Sequence, residues 1–348
     1  MTHLVENFSA LSILAIKKTT PTIKDSTIST YERLFRKLYR ELFVDITPNN
    51  ISNPLVYIID NPTPIIDKLF ESEWGLNLKD QTRKNYISLI LTLLRGSSAD
   101  EGVRPSYNKY REVFDMLKKG LDAEQIKQQP TEKEEDLKNI TMNDLKKGLV
   151  YHANKLRGRD SKDINSALYN MLGHLHLEEV LRNEASSMIL TNNYIPMAED
   201  TKHINFIWIK GRNTKLMVIR NNKVRNPDRY DEPKEVWIKG SLNTAINKYI
   251  QVLKNTGNIE DDIILENTPL VFSKSFPLHC ISSSHYSQVF KKIWSHLDLE
   301  LTTTMIRKLY AMDVREKYKG NLLKEQEACE KLDHSKDTHD KHYILDFS

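Results

Sequence analysis

The sequence predicts a mainly α-helical protein with a small antiparallel β-sheet, divided into an N-terminal helical domain and a C-terminal α+β domain. Three observations carry that prediction. In the first 121 residues, long stretches place apolar side chains at three- and four-residue steps, the spacing of one helix face. Between residues 204 and 240 three β-rich runs follow one another, separated by turn sequence. Between these regions "DAEQIKQQPTEKEEDL" (122–137) is polar, charged and broken by Pro130, which reads as a linker.

Residues 1–24 read as an arm that ends near a break at Pro21. In "DSTISTYERLFRKLYRELF" the apolar positions Ile28, Tyr31, Leu34, Phe35, Leu38, Tyr39 and Leu42 make one stripe, with Asp25 or Ser26 available as a cap. The opposite face carries Arg33, Arg36, Lys37 and Arg40. A second helix, "LKDQTRKNYISLILTLLRG", buries Tyr86, Ile87, Ile90, Leu91 and Leu94, stops at Gly96, and holds Arg83 and Lys84 in its first turns. "SYNKYREVFDMLKKGL" closes the helical domain, 25–121. In the second domain, 138–348, helices are expected at "TMNDLKKGLVYHANKL" and "INSALYNMLGHLHLEEVL". The strands "INFIWIK", "KLMVIR" and "KEVWIKG" come next, then helices at "LNTAINKYIQVLK", "HYSQVFKKIWSHL" and "TMIRKLYAMDVREKY".

The 348 residues can bury a large core, and the 39% hydrophobic, 28% charged composition is that of an ordinary water-soluble fold. No apolar run approaches the roughly 18 residues of a membrane span. "ALSILAI" lacks a basic leader and a cleavage site, so no signal peptide is expected. Cys280 and Cys329 have no paired spacing, which predicts reduced thiols in a cytoplasmic or nuclear protein. The net charge of +4 is compatible with nucleic-acid binding without establishing it, since a binding face needs local basic clusters. His334, His339 and His342, with Asp337 and Asp340 nearby, lack a compact zinc spacing, so neither a metal nor another cofactor is expected.

The stretch "LDHSKDTHDKHY" is too polar for a core, yet it places a tyrosine nine residues after a histidine. A phenol attacks poorly unless its proton is removed or its anion is stabilised. Attack on a phosphodiester would supply the partners. Guanidinium groups meet the charge that gathers on the non-bridging oxygens, and a lysine can protonate the leaving oxygen. Arg182 in "EEVLRNEASSMI", Lys223 in "VIRNNKVRNPDRY", Arg307 in "LTTTMIRKLYA", His334 and Tyr343 are the residues of those types. Lys210 and Lys215 lie in the same strand region as Lys223. Taken singly, each is more often an ordinary surface charge; their order gives them meaning.

That order resembles the tyrosine recombinase (phage integrase) family, whose catalytic residues run Arg, Lys, His-x-x-Arg, His or Trp, Tyr. Here it reads Arg182, Lys223, Thr304-Met-Ile-Arg307, His334, Tyr343. "LDHSKDTHDKHY" resembles the family's "LGHSxxxTxxxY", and "TTTMIRKLYA" resembles "TxHxLRHxxA". "IRNNKVRN" resembles the strand-turn with the family's lysine. "STISTYERLFRKL" and "DQTRKNYISLIL" resemble helices of its core-binding domain, so the likeness extends over residues 25–348. "LRN" resembles the viral and mobile-element branches more than the bacterial chromosome-resolution recombinases.

The resemblance implies a helical core-binding domain and a catalytic domain clamped on double-stranded DNA. It implies a site-specific recombinase or integrase that cuts and rejoins strands through a 3′-phosphotyrosyl intermediate, without cofactor. It also implies a homo-tetramer on paired sites, with an accessory DNA-bending protein as an optional partner. Arg33, Arg36, Lys37, Arg40, Arg83 and Lys84 are the candidate DNA contacts. Three departures stand out. Thr304 replaces histidine, and a threonine cannot accept a proton near neutral pH. Glu184 lies one residue before the family's usual acid position, which is Ala185 here. Asp333 occupies a glycine turn. Two alternatives therefore stay open: a catalytically impaired DNA-binding protein of the same fold, and a topoisomerase IB-like or telomere-resolving enzyme.

Overall fold

A computed structural model of the chain describes residues 23, 25–43, 54–126, 129–158, 160–222, 232–258, 268–271 and 279–345. The expected arm (1–24, residue 23 apart) and Lys223 lie outside the described residues. The chain divides between Lys127 and Gln128 into two compact units.

The first unit is helical: α1 (Asp25–Phe43), α2 (Pro54–Asp60), α3 (Pro62–Phe70), α4 (Glu73–Leu76), α5 (Asp80–Leu94) and α6 (Arg104–Ile126). The stripe read from α1 faces inward. Ile28, Phe35 and Leu38 are buried, while Arg33, Arg36, Lys37 and Arg40 are exposed. Phe35 and Leu38 pack with Tyr86, Ile87, Ile90 and Leu94 of α5 and with Tyr110 and Leu117 of α6. The sequence pattern missed α2 and α3, which are short and start at prolines, a residue suited to the first helical turn. Gly75 is required where α4 turns back on α3, because a Cβ there would come within 2.4 Å of the Lys68 carbonyl.

The second unit begins inside the stretch read as a linker. Helix α6 continues to Ile126, and Leu137 is buried in the second unit's core. Glu134 is also buried, 2.5 Å from the ammonium of Lys308. Helices α7 (Met142–Gly148), α8 (Val150–Lys155) and α9 (Ile164–Glu179) precede a sheet of β1 (Ile189–Thr191), β2 (Phe206–Gly211), β3 (Thr214–Ile219), β4 (Lys234–Ile238) and β5 (Thr268–Pro269). Helix α10 (Gly240–Asn255) lies between β4 and β5 in the chain. Helices α11 (Ser283–Lys291), α12 (Thr303–Lys317), α13 (Leu322–Lys331) and α14 (Lys336–His342) follow.

The sheet order is β4-β3-β2-β1-β5. It is mixed and not, as the sequence predicts, purely antiparallel: β2–β3–β4 are antiparallel, but β1 runs parallel to β2. A parallel pair needs a crossover connection, here residues 192–205, which the β-rich runs alone do not reveal. Successive residues of β2 and β3 turn to opposite sides of the sheet, and both sides are buried. Ile207, Met217 and Ile219 face the main core, while Phe206, Leu216 and Val218 face a smaller cluster.

Candidate active site

Arg307 sits on the second turn of α12, a helix capped by the hydroxyl of Thr302, which accepts the Met305 N–H at 3.2 Å. The residue is 2% exposed. Nη1 donates to the Val180 carbonyl at 2.7 Å, and Nη2 donates to the Leu332 carbonyl. Both acceptors stand at the C-termini of helices, α9 and α13, where unsatisfied carbonyls and the helix dipole favour a cation. What remains of the fork faces Tyr343. Nε and Nη2 donate to its hydroxyl at 3.3 and 3.2 Å.

The Tyr343 phenol is half-buried. Burial alone would raise its pKa, but the charge and hydrogen bonds of Arg307, helped by Arg182, outweigh burial and hold it below the usual value. The structure thus brings Arg182, Arg307 and Tyr343 together from three distant segments. Among the described residues, neither arginine forms an ion pair with a carboxylate, and Arg182 Nη1 is buried without a hydrogen-bond partner. Desolvation, with Arg182 adding repulsion, lowers the pKa of Arg307. Two positive groups held this way would be relieved by an incoming anion.

His334 stacks obliquely on the nucleophile candidate, ring centroids 4.5 Å apart. Burial, followed by the fields of His339, Arg307 and Arg182, pushes it down to about 3, so the ring is neutral. Its Nε2 lies 3.1 Å from His339 Nδ1. The turn before it is closed by Asp333 in the left-handed conformation, φ 51°. The His334 N–H bonds the Cys329 carbonyl at 3.1 Å, the closure that ends α13. Aspartate tolerates that backbone better than most residues, and its carboxylate accepts from Asn222 Nδ2 at 3.2 Å. That bond ties the turn to the residue immediately before Lys223.

Arg182 is placed by its neighbours. Helix α9 ends at Val180, whose φ of 52° is a costly conformation for a β-branched side chain, by about 1–2 kcal/mol. Asn183 bridges outward: its amide N–H groups donate to Ser283 and Ser287 of α11, and its Oδ1 accepts from Thr303 of α12. His176, fully buried, donates from Nδ1 to the Leu181 carbonyl at 3.1 Å and accepts the Tyr286 hydroxyl at 2.7 Å on Nε2. Burial pushes His176 down to about 3. Between that value and the ordinary 6.5, the unfolded chain binds a proton that the folded chain refuses. Stability must therefore fall as pH drops below 6.5, by about 1.4 kcal/mol per pH unit at full slope for this residue. Urea unfolding from pH 7 to 5 checks this: His176→Gln should flatten the dependence by close to one proton, and an unchanged slope would exclude His176 as the source.

The other expected site residues are placed less centrally. Thr304 is exposed, and its side chain forms no hydrogen bond to the described residues. Glu184, given no role by the sequence, is buried, acts on Arg307 through its charge, and has an oxygen without a partner. Lys215 is fully buried and donates to the Arg212 carbonyl and to Asn243 and Asn247; burial lowers it to about 8. Lys210 is exposed beside the β2–β3 turn, 5.7 Å from the Trp208 ring. In the first unit, Arg83 is part-buried. Its guanidinium bonds the Leu69 carbonyl at 3.1 Å, the Gly75 carbonyl at 2.9 Å and Asp80, which pins α3, α4 and α5 together. Lys84 is partly exposed. Sequence reasoning missed Asn183 and Asn222 as supports because their partners are distant in the chain, and His339 because it meets His334 only through the turn at Asp333.

The chain matches no family model, no curated protein and no solved structure.

Proposed function

We propose that the chain is a tyrosine-type DNA strand transferase, a site-specific recombinase or integrase, with the second unit as its catalytic domain and the first as its core-binding domain. One observation carries the reading: a phenol held below its usual pKa by two arginines that lack a carboxylate partner among the described residues. A phosphate diester fits that gap in charge and geometry.

In the proposed reaction Tyr343 Oη attacks the scissile phosphorus, and the bond to the 5′ oxygen breaks. Arg182 and Arg307 hold the non-bridging oxygens and stabilise the charge that develops on them. The Tyr343 proton passes to solvent water, His334 near 3 being too weak a base to keep it, and the two arginines stabilise the phenolate left behind; an arriving phosphate would raise His334 and let it donate to the phosphate. The 5′ hydroxyl of another strand reverses the step. Bond energy is retained in the protein–DNA ester, so the reaction needs no nucleotide. The exposed Arg33, Arg36, Lys37 and Arg40 of α1 are assigned to phosphate contacts, which predicts affinity that falls steeply with salt. Arg83 is assigned instead to holding the first unit together. A homo-tetramer on paired sites, and an optional DNA-bending partner, belong to the same proposal. No helix among the described residues is long and apolar enough to cross a membrane.

The leaving-oxygen acid is assigned to Lys223, with exposed Lys210 as its competitor and Lys215 set aside by its three buried bonds. Replacing the 5′ bridging oxygen by sulfur gives a leaving group that needs no proton. Lys223→Ala should cut the ordinary substrate about 10²–10⁴-fold slower and the sulfur substrate at the native rate. If Lys210→Ala shows that rescue instead, the acid is Lys210.

The reading as a whole is tested with fragmented DNA from the protein's own source. Protein–DNA adducts that survive SDS, with ends mapping to one sequence, are the expected result. Salt-sensitive binding without adducts, in the presence of source extract, would favour the silent DNA-binding alternative, to which exposed Thr304 lends support. Recombinant joints, relaxed circles or hairpin ends separate the recombinase from the topoisomerase-like and telomere-resolving alternatives.

A further inference from the structure

We propose that Cys329, His334 and His339 form a zinc site, and that zinc bound there switches strand cleavage off; the second half rests on the function proposed above. The three residues are five apart in sequence, which matches no zinc pattern, but the fold removes that objection. Cys329 lies near the end of α13, the left-handed turn at Asp333 reverses the chain, and His339 lies on α14.

One ring nitrogen of each histidine and the Cys329 sulfur all lie within 4.8 Å of one another. His334 Nε2 and His339 Nδ1 are 3.1 Å apart. In a tetrahedral zinc site two ring nitrogens stand about 3.3 Å apart and each lies about 3.5 Å from a thiolate sulfur, so small side-chain adjustments close the geometry. Two imidazoles and a thiol are the donor set that suits zinc. A surface pocket lined by Arg315, Glu325, Lys336, His339 and Asp340 reaches His339, the side from which a metal ion would approach.

Binding would form two N–Zn bonds and one S–Zn bond. The Cys329 thiol releases one proton to solvent. The hydrogen bond between the two rings is lost, and its proton moves to the far nitrogen of the same ring. His334 would then be clamped to the metal instead of the phosphate, beside Tyr343.

The test uses the metal-stripped full chain and cobalt(II), whose spectrum reports thiolate ligation. One equivalent should give a sulfur-to-cobalt charge-transfer band with tetrahedral visible bands, displaced by zinc, lost in Cys329→Ser and kept in Cys280→Ser. Cys329→Ala serves if the serine variant is misfolded by circular dichroism. No thiolate band, or one that follows Cys280, overturns the site. Zinc in slight excess should slow adduct formation about a hundredfold, the scale of losing one transition-state donor, with recovery on adding chelator. Cys329→Ser should keep the basal rate and ignore zinc. A thiolate band without inhibition overturns the switch. Absence of adducts with or without zinc counts against the strand-transferase reading and leaves the spectrum to decide the site.

Discussion

A Tyr343→Phe variant should bind DNA with the native affinity and salt dependence and form no detectable covalent adduct. The expected loss is about a millionfold, the scale seen when a hydrolytic enzyme loses its nucleophile. The variant is a fair test because it removes one atom. The ring can keep its place 4.5 Å from His334 and 5.2 Å from the Arg307 guanidinium carbon. The hydroxyl is half-buried, so water can take over the Arg307 donors it leaves, and the stability cost should be near 1 kcal/mol. Gel mobility measures binding, SDS-resistant label transfer measures the adduct, and urea unfolding measures the fold. Adducts persisting in a folded Tyr343→Phe protein would move the nucleophile elsewhere and remove the mechanism.

The second large effect is expected at Arg307. Lysine keeps the charge, but its single ammonium cannot span the Val180 carbonyl, the Leu332 carbonyl and the Tyr343 hydroxyl together. Arg307→Lys should therefore lose about 10²–10³ in cleavage rate. Leaving a buried carbonyl without a donor should also cost about 1–3 kcal/mol of stability. Spectrophotometric titration gives an independent readout: the Tyr343 phenol should titrate higher once the forked donor is gone. If Arg307→Lys cleaves at the native rate, the guanidinium is a structural brace and the phosphate must be held by other groups.

The sequence made the helix faces legible wherever burial follows a strict period. The α1 stripe with its exposed Arg33, Arg36, Lys37 and Arg40, and the α5 stripe from Tyr86 to Leu94, are in place because a 3.6-residue repeat admits one solution against a core. The strands from β2 to β4 were legible from their β-rich runs. Strand β1 was not: three residues carry no period, and its pairing with β2 depends on a crossover. Helix α13 was hidden for the opposite reason. Leu322 and Leu323, which would suggest an apolar face, are 68% and 73% exposed, while its buried positions are the small Ala328 and Cys329. Within the candidate site, residue types and order were readable, but not their supports. That Asn183 ties α11 to α12, that Asn222 meets Asp333, and that Cys329 comes beside two histidines are long-range or turn-dependent facts that no local pattern encodes.

The two helix ends that meet at Arg307 decide when the candidate site comes into being. The carbonyls it grips and the hydroxyl it presents come from different parts of the chain: Val180 lies 127 residues from Arg307, Leu332 25 and Tyr343 36. Each of those carbonyls exists in its gripping orientation only after its own helix has formed and ended. In an incompletely folded chain the guanidinium is hydrated and the phenol has lost the donors that hold its pKa down. The arrangement is a coincidence lock: the paired donors and the lowered phenol come into being only when three separately formed pieces are present at once, so under the proposed function the capacity to break a strand would be confined to molecules complete enough to reseal it.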